Sequence, residues 1–73
     1  MPKALHPVLR ALGRRIRAAR EAKGWSQERL ADEAGVDRSY MSGIERGIRN
    51  ISVVKLTSLA RVLGTTAAEL LTN

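Results

Sequence analysis

Cysteine and phenylalanine are absent from this chain of 73 residues, and Trp25 and Tyr40 are its only aromatic side chains besides the lone His6. Without cysteine there is no disulfide framework and no thiolate metal site, which fits a reducing compartment. So few aromatics argue against single-strand and RNA readers, which stack bases on aromatic platforms. No apolar run approaches the roughly 18 residues of a membrane span. The opening stretch MPKALHPVLRALGRR has no apolar segment followed by a cleavage site, so a cytoplasmic chain is expected rather than a secreted one. Catalysis has no support either: no glycine-rich phosphate loop exists, and Ser39 and Ser42 have no base nearby in sequence. Glu28 and Asp32 are spaced to share a helix face, but two carboxylates are too few ligands for a divalent ion. No enzyme activity, metal, cofactor or small-molecule ligand is therefore expected. Acidic residues are scarce as well, 7 against 13 Lys and Arg, for a net charge of +6. A small basic domain points first to nucleic acid and second to an anionic membrane surface. Duplex DNA needs phosphate contacts and groove readout, not stacking.

What is present is helical patterning throughout. Apolar residues recur at helical spacing, and no useful length alternates with period two. Leu9, Leu12, Ile16 and Ala19 form the stripe of a first helix that stops at Gly24, with Pro7 suited to its first turn. Gly13 weakens that helix, so its ordered part is expected to begin nearer Leu12, behind an N-terminal arm spanning residues 1–7. Ser26 caps a second helix ending at Gly35, and Asp37 caps a third ending at Gly47. Ser52 caps a fourth ending at Gly64, and Thr66 with Glu69 makes a capping box for a short fifth through Leu71. Trp25 with Leu30, Val36 with Met41, and Ile51 with Leu56 repeat one staple spacing before three of the caps. The expectation is one all-α domain over residues 8–72. The short second and third helices, about residues 26–46, have the spacing of a helix-turn-helix, with Ala31 small enough for the contact between them.

The third helix is an unusual solvent face. At about 100° per residue, Met41, Ile44 and Ile48 turn to the core while Arg38, Ser39, Ser42, Gly43 and Arg46 fall on the opposite arc. That arc carries small or basic residues and no acid. Gly43 should cost about 1 kcal/mol against alanine in a helix interior. A small, basic face lets a helix lie deep in a major groove, where Arg38 can reach guanine O6 and N7 and the serines can bond base edges or phosphates. A loosely specified solvent face would look the same, and the net charge tips the balance toward DNA.

SQERLADEAGVDRSYMSGIERGIRNIS resembles the helix-turn-helix core of the phage-repressor (Cro and lambda-repressor-like, XRE) family, over about Gly13 to Leu71. Within it, DRSYMSGIERGIRN is similar to the controller proteins of restriction–modification systems. The resemblance implies a compact five-helix domain that binds double-stranded operator DNA as a homodimer on an inverted repeat and regulates transcription. It implies base-reading roles for Arg38, Ser39, Ser42 and Gly43, and backbone contacts from Gln27, Tyr40, Arg46, Arg49 and Asn50. Gly43 departs from the pattern, since many members place a reading side chain there; more specificity then falls to Arg38 and to DNA shape. It further implies that Glu45, otherwise readable as a surface acid, pairs with Arg20.

Arg10, Arg14, Arg15, Arg17, Arg20 and Lys23 give the first helix a solvated basic face that attracts phosphate at long range. Its apolar side has no Trp or Phe to insert into a membrane and is needed for the core. Val54 and Val62 lie outside the fourth helix's core stripe, and so short a fifth helix cannot bury both Leu70 and Leu71. These four aliphatics mark the expected dimer interface, and a two-fold dimer reads half-sites about 34 Å apart. Glu28, Asp32 and Glu33 are solvated acids or, by family analogy, a contact for RNA polymerase. The alternative reading is an antitoxin or other protein-interaction module with the same fold.

Overall fold

The computed structural model describes residues 6–72. Its helices are α1 (Pro7–Ala22), α2 (Gln27–Ala34), α3 (Arg38–Glu45), α4 (Val53–Leu63) and α5 (Ala67–Leu71), and no strand occurs among the described residues. Each start has a local cause. The side chains of Ser26, Asp37, Ser52 and Thr66 accept hydrogen bonds from the first-turn N–H groups of Arg29, Ser39, Lys55 and Glu69, which satisfies donors that the helix itself leaves free. Each of the turns that follow α1 to α4 contains a glycine with positive φ, at Gly24, Gly35, Gly47 and Gly64.

The first helix begins earlier than its composition suggests. Pro7 occupies the first helical position and His6 is the N-cap, its Nδ1 accepting from the Val8 N–H at 3.1 Å. Residues 7–11 are therefore helical and Gly13 lies inside an unbroken α1. Residues 1–5 of the expected arm lie outside the described residues.

Gly13 has a packing reason. It is buried, and a Cβ built on it would strike the backbone carbonyl of Glu45 and lie 2.6 Å from that of Ile44. The end of α3 thus rests directly on α1. Gly47 repeats the arrangement one turn later: its φ is +74° and a Cβ there would come within 2.7 Å of Arg10 Cα. Two glycines, one on each side, bring the backbone after α3 against α1.

The core lies inside this frame. Leu12 and Ile16 of α1, Leu30 and Ala31 of α2, Met41 and Ile44 of α3, Leu56, Leu59, Ala60 and Leu63 of α4, and Leu70 of α5 are buried together. Helix α3 packs on both α1 and α2, α2 also packs on α4, and α5 bridges α1 and α4. Ala31 is 1% exposed, and the chain passes from α2 to α3 in three residues. The opposite side of α3 is left to solvent.

Leu70 corrects one expectation. It is 4% exposed and belongs to the core, so it cannot serve as a dimer contact. The five residues of α5 turn one side toward α1 and α4, and Leu70 is on that side. Leu71, about 100° further round, is 49% exposed. Arg15 reinforces the docking by donating from Nη1 to the Leu70 carbonyl at 3.1 Å.

Candidate nucleic-acid interface

Arg20 and Glu45 form the polar centre beneath the exposed helix. Arg20 Nε donates to Glu45 Oε2 at 2.7 Å and Nη2 donates to Oε1 at 3.1 Å, a two-point contact with both side chains at least nine-tenths buried. Such a planar fork matches a carboxylate in direction as well as charge. Arg20 is thus not part of the solvated basic face of α1. Its Nη1 also donates to the Trp25 carbonyl at 2.7 Å, tying the α1–α2 turn to the same group. The hydrogen bonds to Glu45 hold the guanidinium pKa above its ordinary value, against the opposing effect of burial.

Gln27 joins this network. As the first residue of α2 it is half-buried, and its Nε2 donates to Glu45 Oε1 at 3.0 Å. Its carboxamide is therefore held in place beside the free N–H groups of the α2 N-terminus, which favour an anion. One glutamate positions α1, the start of α2 and the end of α3 at once. The Gln27 contact joins residues 18 apart, a separation with no local signal in sequence.

On the outer side of α3, Arg38 occupies the first helical position and is exposed. No hydrogen bond or ion pair engages its guanidinium among the described residues. Ser39 is exposed and donates its hydroxyl proton to Asp37 Oδ2, while its backbone N–H donates to the same oxygen at 2.9 Å. With its proton engaged by Asp37, the serine hydroxyl can only accept from a further partner. These bonds hold the Asp37 carboxyl below the usual aspartate range. Ser42 is half-buried at the edge of the arc, and Arg46, the C-cap, is exposed.

Gly43 differs from its sequence reading. It is buried rather than open, because the Arg49 side chain lies across it: a Cβ on Gly43 would collide with Arg49 Cγ. The Arg49 guanidinium carbon sits 6.0 Å from the centre of the Tyr40 ring. Tyr40 is half-buried against the core, and its hydroxyl donates to the Asn50 carbonyl at 3.2 Å. Asn50 itself is exposed. Arg38, Ser39, Arg46, Arg49 and Asn50 therefore share one solvent-facing region, and Tyr40 ties the loop 48–50 to α3.

Away from this face, Val54 is 77% exposed and Val62 is half-buried on the core. Val53, 78% exposed, and Val8, 54% exposed, extend the exposed aliphatic set beyond the expected residues. A cleft of about 240 Å³ lies between Pro7, Val8, Ala11, Arg15 and Leu71. Glu28 and Asp32 are exposed, and Glu33 accepts from Arg29 at 3.1 Å. Arg29 and Lys23 also lie over the Trp25 ring, at 4.6 and 4.9 Å. Among the described residues, no group of three or more His, Cys, Asp or Glu is placed to hold a metal. Nor is any described helix long and apolar enough to cross a membrane.

Comparison with known proteins agrees with this geometry. A family model described as helix-turn-helix matches residues 16–70. A hypothetical transcription factor of Neisseria meningitidis serogroup B is 45% identical over 56 residues, 77% of this chain and 53% of that protein, so the chain spans about half its length. The crystal structure of the restriction–modification controller protein C.AhdI from Aeromonas hydrophila superposes with a TM-score of 0.84 at 48% identity, covering 89% of this chain and 98% of that one. SinR, a master regulator of biofilm formation solved in complex with DNA, superposes with a TM-score of 0.79 at 40% identity, covering 84% of this chain and 98% of that one. The α2–turn–α3 unit, its exposed arginines and these likenesses converge, and the chain belongs to the helix-turn-helix family of DNA-binding transcription regulators.

Proposed function

We propose that the chain acts as a homodimer of the controller type, inserting α3 of each protomer into successive major grooves of an inverted-repeat operator. The observation that carries this reading is the outer side of α3. It presents Arg38, Arg46 and Arg49 without an acid, on a helix whose angle to α1 and α2 is held by the Arg20–Glu45–Gln27 network. Arg38, unpaired at the start of α3, reads guanine through a two-point contact. Ser39 accepts from base or water donors at the same edge, and Ser42 borders it. Gln27, Arg46, Arg49 and Asn50 hold phosphates on either side and set the register of the helix, while Tyr40 lies against the DNA backbone with its hydroxyl proton engaged by the Asn50 carbonyl. The likeness to the controller protein C.AhdI supports the controller role, and a role on an operator sets the protein in the cytoplasm.

A second protomer is required because one such helix covers only a few base pairs. Val54, Val62 and Leu71 supply the aliphatic surface for that contact, with Val53 beside Val54 adding to it. Control then follows protein concentration through dimerisation and cooperative operator filling. Glu28 and Asp32, exposed on α2, are the surface for RNA polymerase when the protein activates. Neutralising both abolishes activation and leaves operator affinity intact; equal loss of both removes this role.

The test is a footprint on the DNA upstream of the protein's own gene, repeated over a salt series. Arg38→Ala should erase the specific footprint, at a cost of about 1–3 kcal/mol in discrimination. Arg46→Ala should weaken specific and non-specific binding alike and lower the salt slope by about one. A wild-type footprint from Arg38→Ala refutes the docking.

A further inference from the structure

Gly43 is the one glycine within α3, and its backbone does not call for one. Its φ is not positive, and alanine is the better helix former at such a site. What glycine provides there is the absence of a Cβ. A methyl at this position would overlap Arg49 Cγ and touch Arg49 Cβ and Cδ at 3.5 Å. The Arg49 stem therefore fills the place that a side chain of residue 43 would take. Gly43 is buried by it, while Arg49 remains exposed.

The seat has a defined direction. Tyr40 and Gly43 are three residues apart and adjacent on one flank of the helix, and the Arg49 guanidinium carbon is 6.0 Å from the Tyr40 ring centre. The Tyr40 hydroxyl bonds the Asn50 carbonyl at 3.2 Å, which anchors the loop from which Arg49 projects. At about 100° per residue, Gly43 is roughly 140° round the helix from Arg38, with Ser39 and Arg46 between them. Arg38 and the seated Arg49 thus stand at the two borders of the small-residue face.

We propose that Gly43 is a positioning residue for Arg49, so that position 43 governs operator binding through the posture of the Arg49 side chain rather than through a contact of its own. The proposal rests on the reading of Arg49 as a DNA contact and adds how that contact is set. Arginine loses much rotamer freedom when it engages a phosphate. A stem already laid across α3, with its head group over Tyr40, has lost part of that freedom before DNA arrives. Any side chain at 43 pushes the stem off and restores the cost.

The experiment is operator titration of the wild type, Gly43→Ala, Arg49→Ala and the double variant, each over a salt series, with melting curves in parallel. Arg49→Ala should weaken binding about tenfold, the scale of one charge-assisted hydrogen bond, and lower the salt slope by about one. Gly43→Ala should melt within a few degrees of wild type, because the helix preference of alanine offsets the turning of the exposed Arg49 stem about its root. Whatever the melting shift, it should bind more weakly, by most of the Arg49→Ala factor. The double variant should bind as Arg49→Ala alone, the two losses failing to multiply. Arg49→Lys, which keeps stem and charge, should retain most of the affinity with Gly43 and lose it with alanine at 43. Wild-type binding by Gly43→Ala beside a weakened Arg49→Ala overturns the proposal alone. Multiplying losses overturn it as well. Wild-type binding by Arg49→Ala removes the reading of Arg49 as a DNA contact, and the proposal with it.

Discussion

Glu45→Ala is the substitution for which the structure sets the sharpest expectation. The carboxylate is removed, and Arg20, whose side chain is 10% exposed, stays in place with two of its three contacts gone. Gln27 loses its anchor in the same step. Removing one partner of a buried ion pair costs about 3–5 kcal/mol, because the remaining charge is left without compensation. A domain of 73 residues at roughly 0.05–0.15 kcal/mol per residue holds only about 4–11 kcal/mol in all. The variant should therefore lose between about a quarter and all of its stability. At about 4–8 °C per kcal/mol for a domain of this size, the melting temperature falls by more than about 10 °C. In urea, with a slope of about 1 kcal/mol/M, the midpoint falls by roughly 3 M.

The assay is far-ultraviolet circular dichroism of wild type and variant under heat and urea, with the slope checked for constancy. A paired replacement, Arg20→Met with Glu45→Leu, separates the two possible sources of the loss. If the penalty is an orphaned charge, removing both charges should recover most of the stability. Recovery stays incomplete because the Trp25 carbonyl loses its bond from Arg20. A melting shift under about a degree for Glu45→Ala would refute the account of the network. A double variant as unstable as the single one would show that the cost is packing and not charge.

Gly13→Ala should destabilise by about 1–3 kcal/mol although alanine is the better helix former, since its Cβ meets the Ile44 and Glu45 carbonyls; thermal melting gives the sign, and a rise would refute the close approach of α1 and α3. Asp37 is held below its ordinary range by the Ser39 hydroxyl and then by backbone N–H groups, so the folded state prefers the carboxylate more than the unfolded chain does. Its stabilisation is present above the ordinary aspartate range and is lost as pH falls through the depressed value. Asp37→Asn should keep the cap at neutral pH and flatten this acid limb in melting curves; parallel curves would refute the assignment. Val54→Asp, at a site 77% exposed, should leave the melting temperature of the monomer unchanged while shifting sedimentation toward monomer and flattening the operator-binding curve.

The parts of this molecule that were legible in sequence are those whose cause lies within a few residues. Ser26, Asp37, Ser52 and Thr66 each cap a helix through an N–H no more than three residues on, and a Ser or Asp before an apolar run is a local signal. The same holds for Arg38 and Ser39, whose exposure follows from helical period once Met41 and Ile44 are assigned to the core. The misreadings share the opposite property. Gly13 looked like a weak point because its reason, the Ile44 and Glu45 carbonyls, lies some 30 residues away and is backbone, which no side-chain pattern reports. Leu70 and Leu71 are alike in sequence, and only the docking of α5 on α1 and α4 decides which is buried. Helical period places Gly43 on the outer arc, but only the fold shows that Arg49 reaches across it from the loop after the helix. Helical projection describes one element at a time. The surface proposed to read DNA draws on α3, the N-terminus of α2 and the loop 48–50, so it has contacts that no single projection contains, and these contacts decide which of its arginines are free and which are already placed.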